Sequence, residues 1–364
     1  MTLYIFNPEH DLALASGLAN FTAPHAGRQL RHDLGFLPVL WAGEEDLVLV
    51  DNIEAAERGL RQLRLRVRLR QTPGLVTLDS RFSNGKLPVS RNITQVEPWG
   101  WDSALCAQLQ RHLPSLDSLP GEVQLQAIRA LSHRRTAARL LSRLRLEGTV
   151  GEATECRTID EVEAYVAQHP RTVLKAPWSS SGRGIRFVDS VSSPTVAGWL
   201  RNVLKAQGSV MAEPYYNKVK DFGMEFELRQ GRIYYLGLSL FHTANGAYTG
   251  NILATESAKR ELMAAYLPLE LLDSVRHKVE SIVPDEPVLQ SLTLPFGIDM
   301  MVVANSQTSN FMLHPCVEIN LRRTMGHVAL ALTRLVNPDE DDDIRKVMRI
   351  AYDNNRYTLK INNL

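Results

Sequence analysis

Two groups of residues in this chain have the types and spacing that handle phosphate and a divalent metal. The first runs from Thr172 to Ile185. Thr172 to Leu174 reads as a short apolar strand, Lys175 stands at its end, and Ser179, Ser180, Ser181, Gly182 and Gly184 follow in a loop of small residues. A lysine is costly to bury without a negative partner, so Lys175 is expected to face one. Glycine takes positive φ freely, which lets successive backbone N–H groups converge on an anion. Strand, lysine and Ser/Gly loop together read as a phosphate clamp. It is not a Walker loop, because the lysine precedes the glycines. A plain surface loop after an edge strand is the competing reading.

The second group is Asp299, Glu318 and Asn320. Phe296 to Ala304 and Met312 to Leu321 read as strands, and the polar turn Asn305 to Asn310 between them predicts an antiparallel hairpin. If Ala304 faces Leu313, Asp299 lies opposite Glu318 and Gly297 opposite Asn320. Opposed side chains have Cβ atoms about 4.5–5.5 Å apart. Two carboxylates that close repel unless a cation lies between them. With an amide oxygen two residues along, the set is an oxygen cage suited to Mg²⁺ holding nucleotide phosphates. Arg322 continues that face, while Ile319 and Leu321 point to the other. Acids on a solvated hairpin face are the alternative, which fits poorly with the apolar run Gly297 to Val303.

Weaker candidates flank these. Asn7, Glu9, His10 and Asp11 follow an apolar strand, Thr2 to Phe6, at the end where open α/β sheets bind ligands. Helix capping explains them equally. After the strand Ser209 to Ala212 come Glu213 and then Asp221, acids able to accept hydrogen bonds from ribose hydroxyls. Glu225 and Glu227 alternate with Met224, Phe226 and Leu228 and are expected on a solvated sheet face.

The elements that must position these residues follow from pattern. Runs at Leu37–Trp41 and Leu47–Val50 alternate with the helical segment Ile53–Leu63, favouring a parallel sheet with helices on its faces. Leu63 to Arg70 alternates leucine or valine with arginine and predicts a half-buried strand with a basic face, solvated or binding polyphosphate. Trp99 and Trp101 suit a core or a cleft. Pro and Ser between Leu113 and Gly121 mark a boundary. Helices are predicted at Val123–Leu131, Arg135–Leu146, Thr158–Gln168 (capped by Thr158) and Thr195–Gln207. The acidic run Asp339–Asp343 after Pro338 suits a helix start. The chain has 364 residues, enough for two or three domains, and 41 basic against 40 acidic residues. That balance gives no pull toward nucleic acid or a membrane surface. Three scattered cysteines form neither a metal knuckle nor a disulfide framework and fit a reducing compartment. With no signal peptide or long apolar span, a cytoplasmic protein is expected.

The order of parts resembles the ATP-grasp superfamily: a lysine on a strand, a Ser/Gly loop, a hinge strand with an acid, then Asp…Glu-x-Asn. The similarity covers roughly residues 125 to 330, and the pattern is similar to that of carboxylate–amine ligases. The resemblance implies an α/β fold, α+β in its catalytic part: a Rossmann-like domain at 1–120, a small lobe with the phosphate loop at 121–208, and a large lobe with the metal site and C-terminal helices at 209–364. It implies ATP and Mg²⁺ as cofactors, with Lys175 and the loop Ser179–Gly184 on the phosphates. Ala212 and Glu213 would form the adenine hinge and Asp221 would meet the ribose. Asp299, Glu318 and Asn320 would be metal ligands, and Arg322 would face the transferred phosphate. The family's further lysine is absent; Arg134 or Arg135 stands there, and arginine is not equivalent to lysine. The acceptor pocket would lie against the N-terminal domain, with His242, Asn245, Tyr248 and Asn251 in its wall or, alternatively, in a surface hairpin. Implied partners are a small-molecule carboxylate and an amine, and a homodimer is compatible. A small-molecule kinase and a non-catalytic ATP-binding module are the rivals.

Overall fold

The computed structural model describes all residues except 68, 70–71, 79–92, 115, 117, 180–183, 245–246, 283–291, 306–309, 337–345 and 364. The first block carries β1 (Thr2–Ile5), α1 (His10–Ser16), α2 (His25–Leu34), β2 (Leu47–Leu49), α3 (Ile53–Arg64), β3 (Gly74–Val76), β4 (Gln95–Pro98) and α4 (Ser103–His112). Its strands are all parallel in the order β3-β2-β1-β4, the order of the first four strands of a dinucleotide-binding sheet. Asn52 starts α3 by accepting the Ala55 N–H at 2.8 Å.

Two expectations fail here. The described residues of Leu63–Arg70 form no strand, because α3 runs through Arg64 and turns follow it. Ala56, Leu60, Leu63 and Val67 are buried at helical spacing, so the 3.6-residue period decided where the leucine–arginine alternation fitted both. Leu37–Leu40 is a single 3₁₀ turn; Pro38 has no N–H to give a ladder.

The second block holds α5 (Glu122–Leu131), α6 (Arg135–Leu144), β5 (Thr154–Cys156), α7 (Ile159–Gln168), β6 (Thr172–Lys175), β7 (Ile185–Val188), α8 (Pro194–Gln207) and β8 (Val210–Pro214). Its antiparallel sheet has the order β5-β8-β6-β7. β8 completes this sheet by pairing with both β5 and β6. Thr158 caps α7 as expected, accepting the Glu161 N–H.

The third block is a seven-stranded antiparallel sheet, built from β9 (Lys218–Arg229), β10 (Arg232–Ala244), β11 (Ala247–Leu253), β12 (Leu294–Ala304), β13 (Phe311–Asn320), β14 (Lys346–Asp353) and β15 (Arg356–Asn363). The order is β13-β12-β9-β10-β11-β14-β15. Helices α9 (Glu256–Ala264), α10 (Leu269–Glu280) and α11 (Met325–Val336) pack on it. Among the described residues after β13, α11 is the helix present, and a hairpin follows. Asn354 and Asn355 turn it with φ of 52° and 59°, the left-handed pair that a two-residue hairpin turn needs. The acidic run at 339–343 lies outside the described residues.

The hairpin does not stand alone. Met348 and Ile361 share one buried cluster with Phe6, Leu34, Phe36 and Leu60 of the first block and with Val328 and Leu332 of α11. Burial at about 25 cal/mol per Å² of apolar surface makes this shared core the adhesive between the first sheet and the third.

Candidate functional site

One cavity of about 840 Å³ opens between the second and third blocks, within the size range of small-molecule sites. Arg134, Lys175, Ser179, Glu213, Asp221, Tyr248, Asn251, Asp299, Glu318, Asn320 and Arg322 all line it. Residues as far apart in sequence as Arg134 and Arg322, carried on different strands and loops, thus converge on one volume.

β6 delivers Lys175 into the cavity from the sheet interior. Its ammonium is buried and paired with Glu213 on β8, Nζ to Oε2 at 2.6 Å. The negative partner expected for Lys175 is therefore the acid expected at the adenine hinge. Ala212 is fully buried in β8, with neighbours Leu174 and Thr154 on either side, and does not reach the cavity. Ser179 and Gly184 form the base of the phosphate loop; Ser180, Ser181 and Gly182 lie outside the described residues. Gly184 is needed for space and not for positive φ: a Cβ there would meet Ser179 Cβ at 2.4 Å.

Arg134 rather than Arg135 faces the cavity. Its Nε donates to the Ala176 carbonyl at 3.0 Å, Nη2 donates to Ser179 Oγ at 3.2 Å, and Nη1 meets Glu318 Oε2 at 2.8 Å. It therefore ties the loop base to one of the opposed acids. Arg135 turns away to Glu155.

The opposed acids stand where expected, for a different reason. Asp299 faces Glu318 and Gly297 faces Asn320, but Ala304 pairs with Phe311, not with Leu313. A bulge between Asp299 and Met301 absorbs two extra residues of β13. Pro315, which cannot donate to a ladder, lies in that stretch. Burial, then Glu318 and Glu225, pushes the Asp299 carboxyl up to about 8. Asn320 donates its amide to Asp299 Oδ2 at 3.2 Å, and its Oδ1 accepts from Arg322 Nη2 at 3.1 Å. Among the described residues no three His, Cys, Asp or Glu side chains form a metal-holding group. The cation site offered is two carboxylates with an amide oxygen, a hard-oxygen set that suits Mg²⁺. Burial first, and the neighbouring acids second, disfavour the Asp299 charge, and a divalent ion there would favour the ionised form.

Arg322 makes a fork with Asp11 of α1, Nε to Oδ1 at 2.9 Å and Nη2 to Oδ2 at 2.7 Å. Burial opposes the Asp11 charge, yet the guanidinium holds its carboxyl below the usual range. Asp11 is thus the member of the Asn7–Asp11 group that touches the site.

Its neighbours do not line the cavity. Asn7 is buried against Gly100 and Asp102, His10 Nδ1 lies 3.4 Å from the same Asp102, and Glu9 pairs with Arg31. These three brace the ends of β1 and β4. Trp99 and Trp101 beside them are core.

Asp221 lines the mouth of the cavity, held by Lys218 Nζ and Thr243 Oγ1, each at 2.5 Å. Along the hairpin β10–β11, Tyr248 and Asn251 face the cavity. His242 is exposed and points away, and Asn245 lies outside the described residues.

Two sets of residues escaped the sequence reading. Val173, Ile185, Phe187, Tyr215 and Met301 make an apolar slot near Lys175 and Glu213. Glu225, expected in solvent, is 3% exposed and lines the cavity floor. Glu227 is also buried, paired with Arg229. Nothing in the alternation of β9 signals this, because it depends on β9 lying inside the sheet, between β12 and β10.

No family model and no curated protein sequence matches the chain. Solved structures do. N5-carboxyaminoimidazole synthetase from Staphylococcus aureus, complexed with ADP, is similar at 12% identity and TM-score 0.49, over 96% of this chain and 82% of that one. A protein from Archaeoglobus fulgidus assigned to the ATP-grasp superfamily is similar at 15% identity and TM-score 0.48, over 100% and 99%. The biotin carboxylase domain of 2-oxoglutarate carboxylase from Hydrogenobacter thermophilus, with MgADP and bicarbonate, is similar at 12% identity and TM-score 0.47, over 96% and 74%. The chemistry of the cavity rests on its own geometry.

Proposed function

We propose that this chain is an ATP- and Mg²⁺-dependent ligase of ATP-grasp type, which activates a small-molecule carboxylate as an acyl phosphate for attack by an amine. The observation that carries it is one cavity in which Lys175 and Arg134 face the opposed pair Asp299 and Glu318. The apolar slot beside Lys175 and Glu213 suits a purine, and Asp221 at the mouth suits ribose hydroxyls. Magnesium, held by Asp299, Glu318 and Asn320, would supply charge neutralisation at the phosphates.

A free carboxylate resists attack by an amine. Transfer of the γ-phosphoryl group to a carboxylate oxygen, with ADP leaving, creates a leaving group; attack by the amine nitrogen then forms the amide bond and releases phosphate. The protein's part is alignment and charge. Lys175 and Arg134 hold phosphate oxygens in place, and moving Arg134 from Glu318 onto phosphate would free that acid. Arg322, anchored by Asp11, faces the negative charge of the transferring group.

Among the described residues none between 64 and 70 lines the cavity, so the basic segment that could bind polyphosphate adds nothing to the kinase reading. Among the described residues no helix is long and apolar enough to cross a membrane. The test is an ADP-release screen of amino acids, dipeptides and common metabolites under Mg²⁺, with hydroxylamine as trap. A hydroxamate is expected with the right acid. Lys175→Met and Glu318→Gln are each expected to lose at least about 100-fold in rate, in line with removing a charged transition-state contact. A stable phosphoester in place of the hydroxamate, or unchanged ADP release in both variants, would refute the proposal.

A further inference from the structure

Among the described residues, no cationic side chain donates a hydrogen bond to the buried carboxylate of Glu225. It is 3% exposed, lines the cavity, and its Oε2 has no hydrogen-bond partner. His327 Nδ1 lies 3.0 Å from that oxygen, but this nitrogen accepts the Thr324 N–H at 3.1 Å, and the ring's Nε2 lies 3.3 Å from the Phe226 carbonyl. With the imidazole proton assigned to Nε2 from these two contacts, Nδ1 donates nothing to Glu225. A buried carboxylate left so is strongly disfavoured unless a cation joins it.

The surroundings are shaped around this group. A Cβ on Gly297 would come within 2.6 Å of Glu225 Oε2, and one on Gly326 within 1.8 Å of Oε1. Only glycine leaves room for the carboxylate at both places. Nearby, Tyr248 donates to Asn251 Oδ1 and Asn251 Nδ2 donates to Ser239 Oγ, so the Ser239 hydroxyl keeps its own proton for another acceptor.

The register fixes the distance to the acids. Asp299 faces Gly223 on β9, and Glu225 faces Gly297. Glu225 is therefore two residues along the strand from the Asp299 row, about 7 Å, on the side away from Asp221.

We infer that Glu225 binds the amine substrate as a primary ammonium, R–NH₃⁺, at the acceptor end of the cavity; this rests on the ligase reading above. A compact cation with three N–H donors fits a carboxylate in a glycine-walled hollow, with the Tyr248–Asn251–Ser239 chain beside it.

The test is a thermal-shift panel on the full chain with saturating MgADP, using the twenty amino acids, ethanolamine, putrescine and spermidine as probes. At least one primary amine is expected to raise the wild-type Tm by about 2 °C or more, the response of a ligand well above its Kd. Glu225→Gln should keep the MgADP shift, which shows that it folds, and lose the amine shift. Glu225→Asp should recover part of it. An amine that stabilises wild type and Glu225→Gln equally, or a panel with no response while MgADP responds, overturns the inference and leaves the nucleotide site standing. If MgADP itself shifts neither protein, the ligase reading fails and this inference with it. Loss of one Mn²⁺ equivalent in a calorimetric titration of Glu225→Gln would make Glu225 a metal ligand and also overturn it.

Discussion

Asp299 experiences burial and two like charges at once, Glu318 and Glu225, which together push its carboxyl up to about 8. Such a group keeps its proton in the folded chain where the unfolded chain, near 3.9, has lost it. Between about pH 4 and pH 8 the folded state thus binds more protons, and stability falls as pH rises. Asp299→Asn removes that slope. Urea unfolding of the metal-free protein is expected to show the variant gaining on wild type from pH 5 to pH 8, by about 1 kcal/mol or more at the upper end. Parallel pH profiles would contradict the assignment. Under the proposed magnesium site the sign would reverse, since the ion would bind the ionised form. Asp299, Glu318 and Asn320 were legible in the sequence because residue type and strand period carry this information. Glu225 was not, because burial on both faces of a strand is invisible in a period of two.

At the scale of elements, β9 and β12 form the spine of the site. Phe226 on β9 is fully buried, stacked on Phe296 at 5.3 Å and edge-on to Tyr235. Phe226→Ala is expected to cost about 3–5 kcal/mol of stability, from lost transfer energy and the remaining cavity. Denaturant titration of variant and wild type measures this, and a loss below about 1 kcal/mol would show that the core can collapse around it. The bulge in β13 teaches a related lesson. A uniform register from the turn predicted the pairing of Asp299 with Glu318 from a premise that fails at Ala304. The match held because the stretch containing Pro315 takes up the two-residue discrepancy before the acids.

Across the whole molecule, the Asp11–Arg322 fork joins α1 to the turn just beyond β13, and the core shared by β1, α2 and the C-terminal hairpin holds that geometry. Asp11 is a positioning residue: it touches Arg322 and does not line the cavity. Asp11→Asn keeps the shape and removes the charge. Its kcat is expected to fall about 10-fold or more while MgATP affinity stays within about twofold, since a misplaced charge acts on the reacting group and not on the nucleotide. Equal losses in kcat and nucleotide affinity would instead mean that the fork holds the blocks together.

The order Lys175, Glu213, Asp221, Asp299, Glu318-x-Asn320 was fixed by sequence alone, because a strand's period assigns side chains to faces and a buried charge needs a partner. The continuation of α3 through Arg64 with turns in place of a strand after it, the burial of Glu225 and the fork between Asp11 and Arg322 depended on tertiary structure. Each arises from contacts between segments far apart in the chain, and no local pattern records which surfaces will meet.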